Sequence, residues 1–116
     1  MDICFEGIGQ TTATFRTQGQ VRPGMAVVFT GSGAVGAGED GDLPCGVVAG
    51  GVRGGAAAVQ IAGAAKVGWS GDTAPAVGWQ GLACDGTGGV KVDADGGLKC
   101  LVLAVDTAEK TAVVKL

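Results

Sequence analysis

The sequence contains no histidine and no tyrosine, and its 4 cysteines form no CxxC pair. Zinc sites of the cysteine–histidine type are therefore excluded, and a four-cysteine site would need ligands from four unrelated segments. General acid–base catalysis would depend on carboxylates or lysine alone. No serine lies in a G-x-S-x-G motif, and no cysteine has a histidine to activate it. We expect no catalytic residue, no metal site and no cofactor, and hence no enzyme.

Charge and long hydrophobic runs are also scarce. Charged residues make up 16% of the chain, its net charge is −3, and its 8 basic residues are scattered singly. Nucleic-acid binding needs clustered lysine and arginine, so we expect no such partner. No apolar run approaches the roughly 18 residues that a membrane helix requires. The start, "MDICFEGIG", carries acidic residues where a signal peptide has basic ones, so we expect no secretion signal and a location in the cytoplasm of the cell that makes the protein.

What the chain does contain is glycine and valine. Glycine supplies 24 of the 116 residues, and 16 valines outnumber 6 leucines. The 47% hydrophobic content argues against disorder, and 3 prolines without a G-x-y period exclude collagen. Valine is stiff at χ1 and suits a pleated surface, so this composition favours strands over helices.

Turn motifs recur roughly every ten residues, which is typical of a sandwich or barrel of short strands. We therefore predict one all-β domain over residues 1–116: a compact barrel or sandwich of short, mostly antiparallel strands with glycine-rich turns and little helix. Residues 1–12 are expected to form an N-terminal arm that is mobile or ordered by a partner. The predicted strands are 3–6, 11–16, 25–29, 45–49, 57–61, 64–69, 79–84, 89–93, 98–105 and 111–115.

Two stretches give more specific expectations. "LKCLVLAV" (98–105) is apolar on both faces apart from Lys99, which predicts a central strand covered on both sides. The "DTAEK" loop then joins it to "TAVVKL" in a closing antiparallel hairpin. Val-Gly-Trp occurs at 67–69 and again at 77–79, which we interpret as the matched arms of one hairpin. Trp69 and Trp79 are then either half-buried core anchors, the reading we weight first, or contacts for a partner.

Gly31, Gly33 and Gly36 match the G-x-G-x-x-G spacing of dinucleotide-binding turns. That chemistry needs a helix starting inside the motif, so that its free N–H groups meet the pyrophosphate. The following "AGEDGDLPCG" cannot form a helix of useful length. About twenty positions on, where a ribose-binding carboxylate would lie, the chain reads "GGVRGGA". We predict a glycine turn between strands, with a brief extended piece around Val35.

The cysteines and the acidic turns have structural interpretations. Cys4, Cys45, Cys84 and Cys100 are expected to be small buried apolar residues, although their number also allows two disulfides. The carboxylates of "EDGD" (39–42) and "DADGG" (93–97) lack the spacing of a calcium loop and are expected to be solvated turn residues.

The order of the segments resembles a known family. The chain reads "VRPGMAVVF", "LPCGVVAGGVRGGAAAVQIAGAAKV", "GDTAPAVGWQGLACDGTGGV" and "LVLAVDTAEKTAVVKL" in succession, over about residues 18 to 116. This looks like the small head-decoration, or capsid-cement, proteins of tailed bacteriophages and prophages. Its last turn is more charged than is usual for that family.

The resemblance implies a virion structural protein that binds the outer surface of an assembled capsid and stabilises it. The implied partners are the major capsid protein and further copies of the chain, most often in a homotrimer. In related proteins the N-terminal segment orders against the capsid, which would make Ile3, Phe5 and Ile8 apolar contacts here. Trp69 and Trp79 complete the set of expected partner-binding residues.

Two other functions are compatible with parts of the sequence. A ligand-binding β-barrel module, for a glycan or small molecule, would use Trp69 and Trp79 as an aromatic platform. A nucleotide enzyme is suggested by the glycine motif alone.

Overall fold

The computed structural model describes residues 11–116, which form ten strands. The predicted strand 3–6, Cys4, and the expected contacts Ile3, Phe5 and Ile8 lie outside the described residues. The strands are β1 (Thr11–Gln18), β2 (Ala26–Gly31), β3 (Ala34–Ala37), β4 (Gly46–Arg53), β5 (Ala56–Ala62), β6 (Ala64–Gly68), β7 (Gly78–Cys84), β8 (Val90–Val92), β9 (Leu98–Asp106) and β10 (Thr111–Lys115).

The all-β prediction is confirmed: residues 11–116 contain strands and turns and no helix. Every strand predicted from residue 11 onward overlaps an observed one. The N-terminal arm was predicted to extend to residue 12, but Thr11 and Thr12 already belong to β1, paired with Ala62 and Gln60 of β5. Within the described residues, no helix is long and apolar enough to cross a membrane.

The first five strands close into a barrel in the order β1-β3-β2-β4-β5, with β5 pairing back to β1. The β1–β3 pair is parallel, and the other pairs of this barrel are antiparallel. Because side chains alternate along a strand, one set of each strand points inward. Val27, Val35, Val48 and Val59 are at most 1% exposed and fill the interior together with Met25 and Ala57.

The remaining strands form an antiparallel sheet in the order β6-β10-β9-β7-β8, which packs against the outside of the barrel. A second core lies between the two layers. The barrel wall contributes Ala26 and Val47 to it, and the inner face of the sheet contributes residues such as Val67, Leu82 and Val102. The described residues therefore contain two small valine-rich cores, one inside the barrel and one between the barrel and the sheet.

β9 is the central strand of this sheet, as predicted, and it forms the predicted hairpin with β10 through the turn at 107–110. The expectation that β9 is covered on both sides is wrong. Cys100 and Val102 face the core and are buried, whereas Leu101 and Leu103 on the other face are only partly covered. The sheet has the barrel on one side, and no described element fully covers the other.

The Val-Gly-Trp repeat does not form a hairpin. β6, which ends just before Trp69, pairs with β10, whereas β7, which contains Trp79, pairs with β8 and β9. The local similarity of the two segments does not determine their pairing, because the partners that cover them come from the C-terminal part of the chain.

The glycine motif is a β-hairpin. Gly31 ends β2, and Ser32 and Gly33 form the turn, with Gly33 at φ 68°. β3, expected only as an extended piece around Val35, is a regular strand paired with β1 and β2. A Cβ on Gly36 would lie 2.8 Å from the Gln18 carbonyl oxygen, so this position requires glycine for close strand approach. The motif therefore serves chain reversal, as predicted, and its last glycine also permits close strand packing.

Candidate functional site: an exposed apolar face around Trp79

The two tryptophans have opposite environments. Trp69 is 7% exposed and belongs to the core between barrel and sheet. Its Nε1–H donates a 3.2 Å hydrogen bond to the Thr111 carbonyl, and Lys110 Nζ lies 5.1 Å from the ring centroid. Trp69 is therefore a core anchor that joins β6 to the β9–β10 turn. This placement corrects its inclusion among the partner-binding residues.

Trp79 lies on the opposite side of the sheet and is 71% exposed. It pairs directly across from Leu101 of β9, so the two side chains project from the same face. Val77, immediately before β7, is also 68% exposed. An exposed indole next to other apolar side chains is a common feature of binding surfaces.

Alternation along three neighbouring strands extends this apolar surface. Cys100 and Val102 face the core, so Leu101 points outward, and Val113 points outward between the buried Ala112 and Val114. Leu103 is the extra residue of a β-bulge between Val102 and Ala104, and it is partly exposed. We call the resulting surface the Trp79 face. It consists of Trp79, Leu101, Leu103 and Val113.

Lysines border the Trp79 face. Lys115 pairs with Leu101, Lys66 pairs with Val113, and Lys99 pairs with Gly81, which places all three on the outward side of the sheet. Each of them is exposed. The outer side of the sheet thus carries apolar side chains at its centre and lysines around them. The barrel packs against the other side of the sheet.

Acidic residues mark the two ends of this surface. At one end, the turn at 93–97 lies close to Gly81, and Asp93 Oδ1 accepts a 2.9 Å hydrogen bond from the Gly96 N–H. At the other end, Asp106 Oδ1 accepts hydrogen bonds from the N–H groups of Ala108 and Glu109. Asp93 and Asp106 therefore stabilise turns, as expected for the aspartates of such loops.

The most heavily bonded carboxylate is Asp85. Its Oδ2 accepts a 2.6 Å hydrogen bond from Ser70 Oγ, and its Oδ1 accepts from the Thr87 N–H and Oγ1 and from the Gly89 N–H. Burial acts to raise the pKa of Asp85, but these hydrogen bonds outweigh burial and hold the pKa below its usual value. The arrangement fixes the chain between β7 and β8 onto the segment after β6, which is a structural role.

The cysteines have the environment of core residues. Cys84 and Cys100 are buried and Cys45 is partly buried, and none of the three forms a disulfide with another residue of 11–116. Burial, followed by the charges of Asp42 and Asp85, raises the pKa of Cys84 to about 11. Burial also raises the pKa of Cys45 and of Cys100. A reactive thiol needs the opposite shift.

A cleft of about 480 Å³ separates the barrel from β6. Val47, Val48 and Gln60 line its barrel side, and the edge strand β6 lines its sheet side through Ala65 and Val67. The Gln60 amide donates to the carbonyls of Ala62 and Ala64, so it braces the corner where β5 turns into β6. Among the described residues, no group of three or more cysteine, aspartate or glutamate side chains could hold a metal ion.

The sequence pointed to Trp79 but missed the rest of the face. Its signal was present in the alternation K-x-L-x-L at 99–103, which we interpreted as a strand apolar on both sides. The expected contacts Ile3, Phe5 and Ile8 lie outside the described residues and are not placed relative to Trp79. Comparison with known proteins adds no identity, because no protein-family model matches the chain and no curated protein is significantly similar to it.

Proposed function

We propose that this protein is a virion structural protein of a tailed bacteriophage or prophage, which decorates the assembled capsid and stabilises it by binding its outer surface. The observation that carries the proposal is the Trp79 face, a sheet face on which a 71% exposed indole lies among partly exposed leucine and valine side chains. The free energy falls when a partner covers a surface of this kind, because apolar area is removed from water. The order of the sequence segments, which resembles head-decoration proteins, supports the same function.

The construction of the molecule is suited to adhesion. A barrel with a filled valine interior provides a rigid support behind the sheet, so little ordering entropy is lost when the outer face binds. The partner would be the major capsid protein, and the protein would reside on the capsid surface of the virion after synthesis in the bacterial cytoplasm. The expected form is a homotrimer. Three linked copies would bind the capsid with a higher apparent affinity than one copy, through avidity.

The ligand-binding alternative has lost its main argument. It required Trp69 and Trp79 to form one aromatic platform, but Trp69 lies in the core and Trp79 lies on the outer face. The barrel interior, where a small molecule would otherwise bind, is filled by Val27, Val35, Val48 and Val59.

Sedimentation with capsids tests the proposal. Purified protein is mixed with undecorated capsids of the phage whose genome encodes it, and the shells are pelleted. We expect the wild-type protein in the shell fraction, and we expect Trp79→Ala to remain in the supernatant with an unchanged denaturation midpoint. Phe29→Ala is the matched control, because Phe29 is an aromatic side chain 59% exposed on the barrel. Absence of the wild-type protein from the shells would refute the function.

A further inference from the structure

The cross-strand register arranges the Trp79 face in rows. One row runs from Lys115 through Leu101 to Trp79, and the next row joins Lys66 to Val113. Neighbouring strands lie about 4.8 Å apart, which places the Lys115 backbone roughly 10 Å from that of Trp79. A flexible lysine side chain spans much of that distance, so the ammonium groups of Lys66 and Lys115 border the apolar centre rather than a remote part of the surface.

These lysines have no acidic partner within the described chain. Among residues 11–116 the ion pair is that of Lys91 Nζ with Asp40 Oδ1, at 2.7 Å. Lys66, Lys99 and Lys115 are exposed and unpaired there, although the whole protein carries a net charge of −3. Three unpaired lysines therefore lie on the sheet face that also exposes Trp79, whereas the carboxylates of Asp93 and Asp106, at its two ends, accept hydrogen bonds within their own turns.

Coverage of such a face has an electrostatic consequence. A partner that buries Trp79 and Leu101 also removes part of the water around the neighbouring ammonium groups. This desolvation costs free energy unless negative charges of the partner lie beside the ammonium groups. An acidic patch around an apolar centre would satisfy both parts of the surface. A basic patch would be repelled.

We propose that the Trp79 face docks onto an acidic protein surface whose carboxylates pair with Lys66 and Lys115 while its apolar centre covers Trp79 and Leu101. Given the proposed function, from which this inference follows, that surface belongs to the outside of the capsid. The lysines steer the approach and fix the orientation, and the apolar centre supplies most of the affinity.

Charge reversal tests the inference. The double variant Lys66→Glu/Lys115→Glu is compared with wild type in capsid binding at about 0.05 M and about 0.5 M salt, where screening lengths differ severalfold. We expect the variant to bind on the order of tenfold or more weakly at low salt, with a much smaller difference at high salt. Lys66→Arg/Lys115→Arg retains the charge and should bind like wild type.

Arg53→Glu is the matched control, because Arg53 is an exposed cation at the end of β4 in the barrel layer. Arg53→Glu changes the net charge by as much as either single lysine-to-glutamate substitution does, and it should bind like wild type. Denaturation midpoints of all variants establish that they fold. Analytical ultracentrifugation of the free proteins then measures whether the lysine changes affect self-association.

Each outcome decides between the two proposals. Wild-type binding that is unaffected by the double reversal overturns the acidic-surface inference and leaves the decoration function in place. Failure of the wild-type protein to bind capsids at either salt concentration overturns both. A double variant that loses an oligomer present in the wild-type protein assigns the face to a second copy of this chain, which also overturns the inference.

Discussion

Ser70 Oγ donates a 2.6 Å hydrogen bond to Asp85 Oδ2, and this contact joins the segment after β6 to the segment after β7. The other carboxylate oxygen of Asp85 holds the turn at 85–89 through Thr87 and Gly89. This side-chain contact adds to a backbone hydrogen bond of 2.9 Å from the Ser70 N–H to the Val90 carbonyl, which joins the same part of the chain to the start of β8.

Replacement of Asp85 should destabilise the protein. Asp85→Ala removes every acceptor of the cluster, and we expect a loss of about 1–3 kcal/mol in the free energy of unfolding. Asp85→Asn keeps one carbonyl oxygen for the turn and should cost less. Asp72→Asn, at an exposed carboxylate, should change stability by less than about 0.5 kcal/mol. Urea denaturation followed by tryptophan fluorescence measures all three, and equal midpoints for Asp85→Ala and Asp72→Asn would contradict the assignment.

Acidification should remove the contribution of Asp85. Its pKa is lower in the folded protein than in the unfolded chain, where it is near 4. The stabilisation is therefore complete above the unfolded pKa and is lost as the pH falls through the folded pKa. The stability difference between wild type and Asp85→Asn should be constant from neutral pH down to about pH 5 and should shrink below about pH 4. A difference that grows on acidification would show the opposite shift.

The thiol of Cys84 should be unreactive in the folded protein. Because its pKa is raised to about 11, very little thiolate exists at neutral or mildly alkaline pH. Alkylation by iodoacetamide, mapped by mass spectrometry, should modify Cys84 and Cys100 much more slowly before denaturation than after it, with Cys45 between these extremes. The raised pKa also means that the stabilisation from neutral Cys84 is complete below its unfolded pKa and is lost as the pH rises through about 11. Rapid labelling of native Cys84 would contradict its placement.

The glycine motif should respond to substitution as a hairpin. Gly33 has φ 68°, so Gly33→Ala forces a side chain into the left-handed region and should cost about 1–2 kcal/mol. Gly31 lies outside that region, and a Cβ there meets no atom within 4 Å. Gly31→Ala should therefore change stability by less than about 0.5 kcal/mol. Denaturation midpoints compare the two, and equal costs would argue against the turn.

The two tryptophans should give different fluorescence. In Trp69→Phe the remaining indole is the exposed Trp79, so its emission should be shifted to the red and strongly quenched by iodide. In Trp79→Phe the remaining indole is the buried Trp69, and its emission should be shifted to the blue and protected from iodide. Similar quenching of both variants would contradict the separation of the two rings. Binding of a capsid should then protect Trp79 in the Trp69→Phe protein.

The positions of the strands could be predicted from the sequence because they depend on local chemistry. Valine-rich segments between glycine turns have few alternatives to short strands, and the observed bounds of β7, β9 and β10 lie within one residue of those expected. The glycine motif could be assigned to a turn because Gly38, Gly41 and Pro44 rule out a helix after it. The absence of histidine likewise excluded zinc sites of the cysteine–histidine type and acid–base catalysis by histidine from the sequence alone.

The pairing of the strands, and with it the candidate site, was decided by the tertiary structure. Trp69 and Trp79 have nearly the same local sequence, yet one is buried and the other is exposed. The difference arises because β10 returns to pair with β6 and places the Thr111 carbonyl beside Trp69, whereas β9 pairs with β7 and leaves Trp79 outside. Local alternation determines that one face of a strand is apolar. Which face the barrel covers depends on contacts between residues far apart in the chain, and these contacts leave Leu101 partly exposed and Trp79 exposed on the outer side of the sheet.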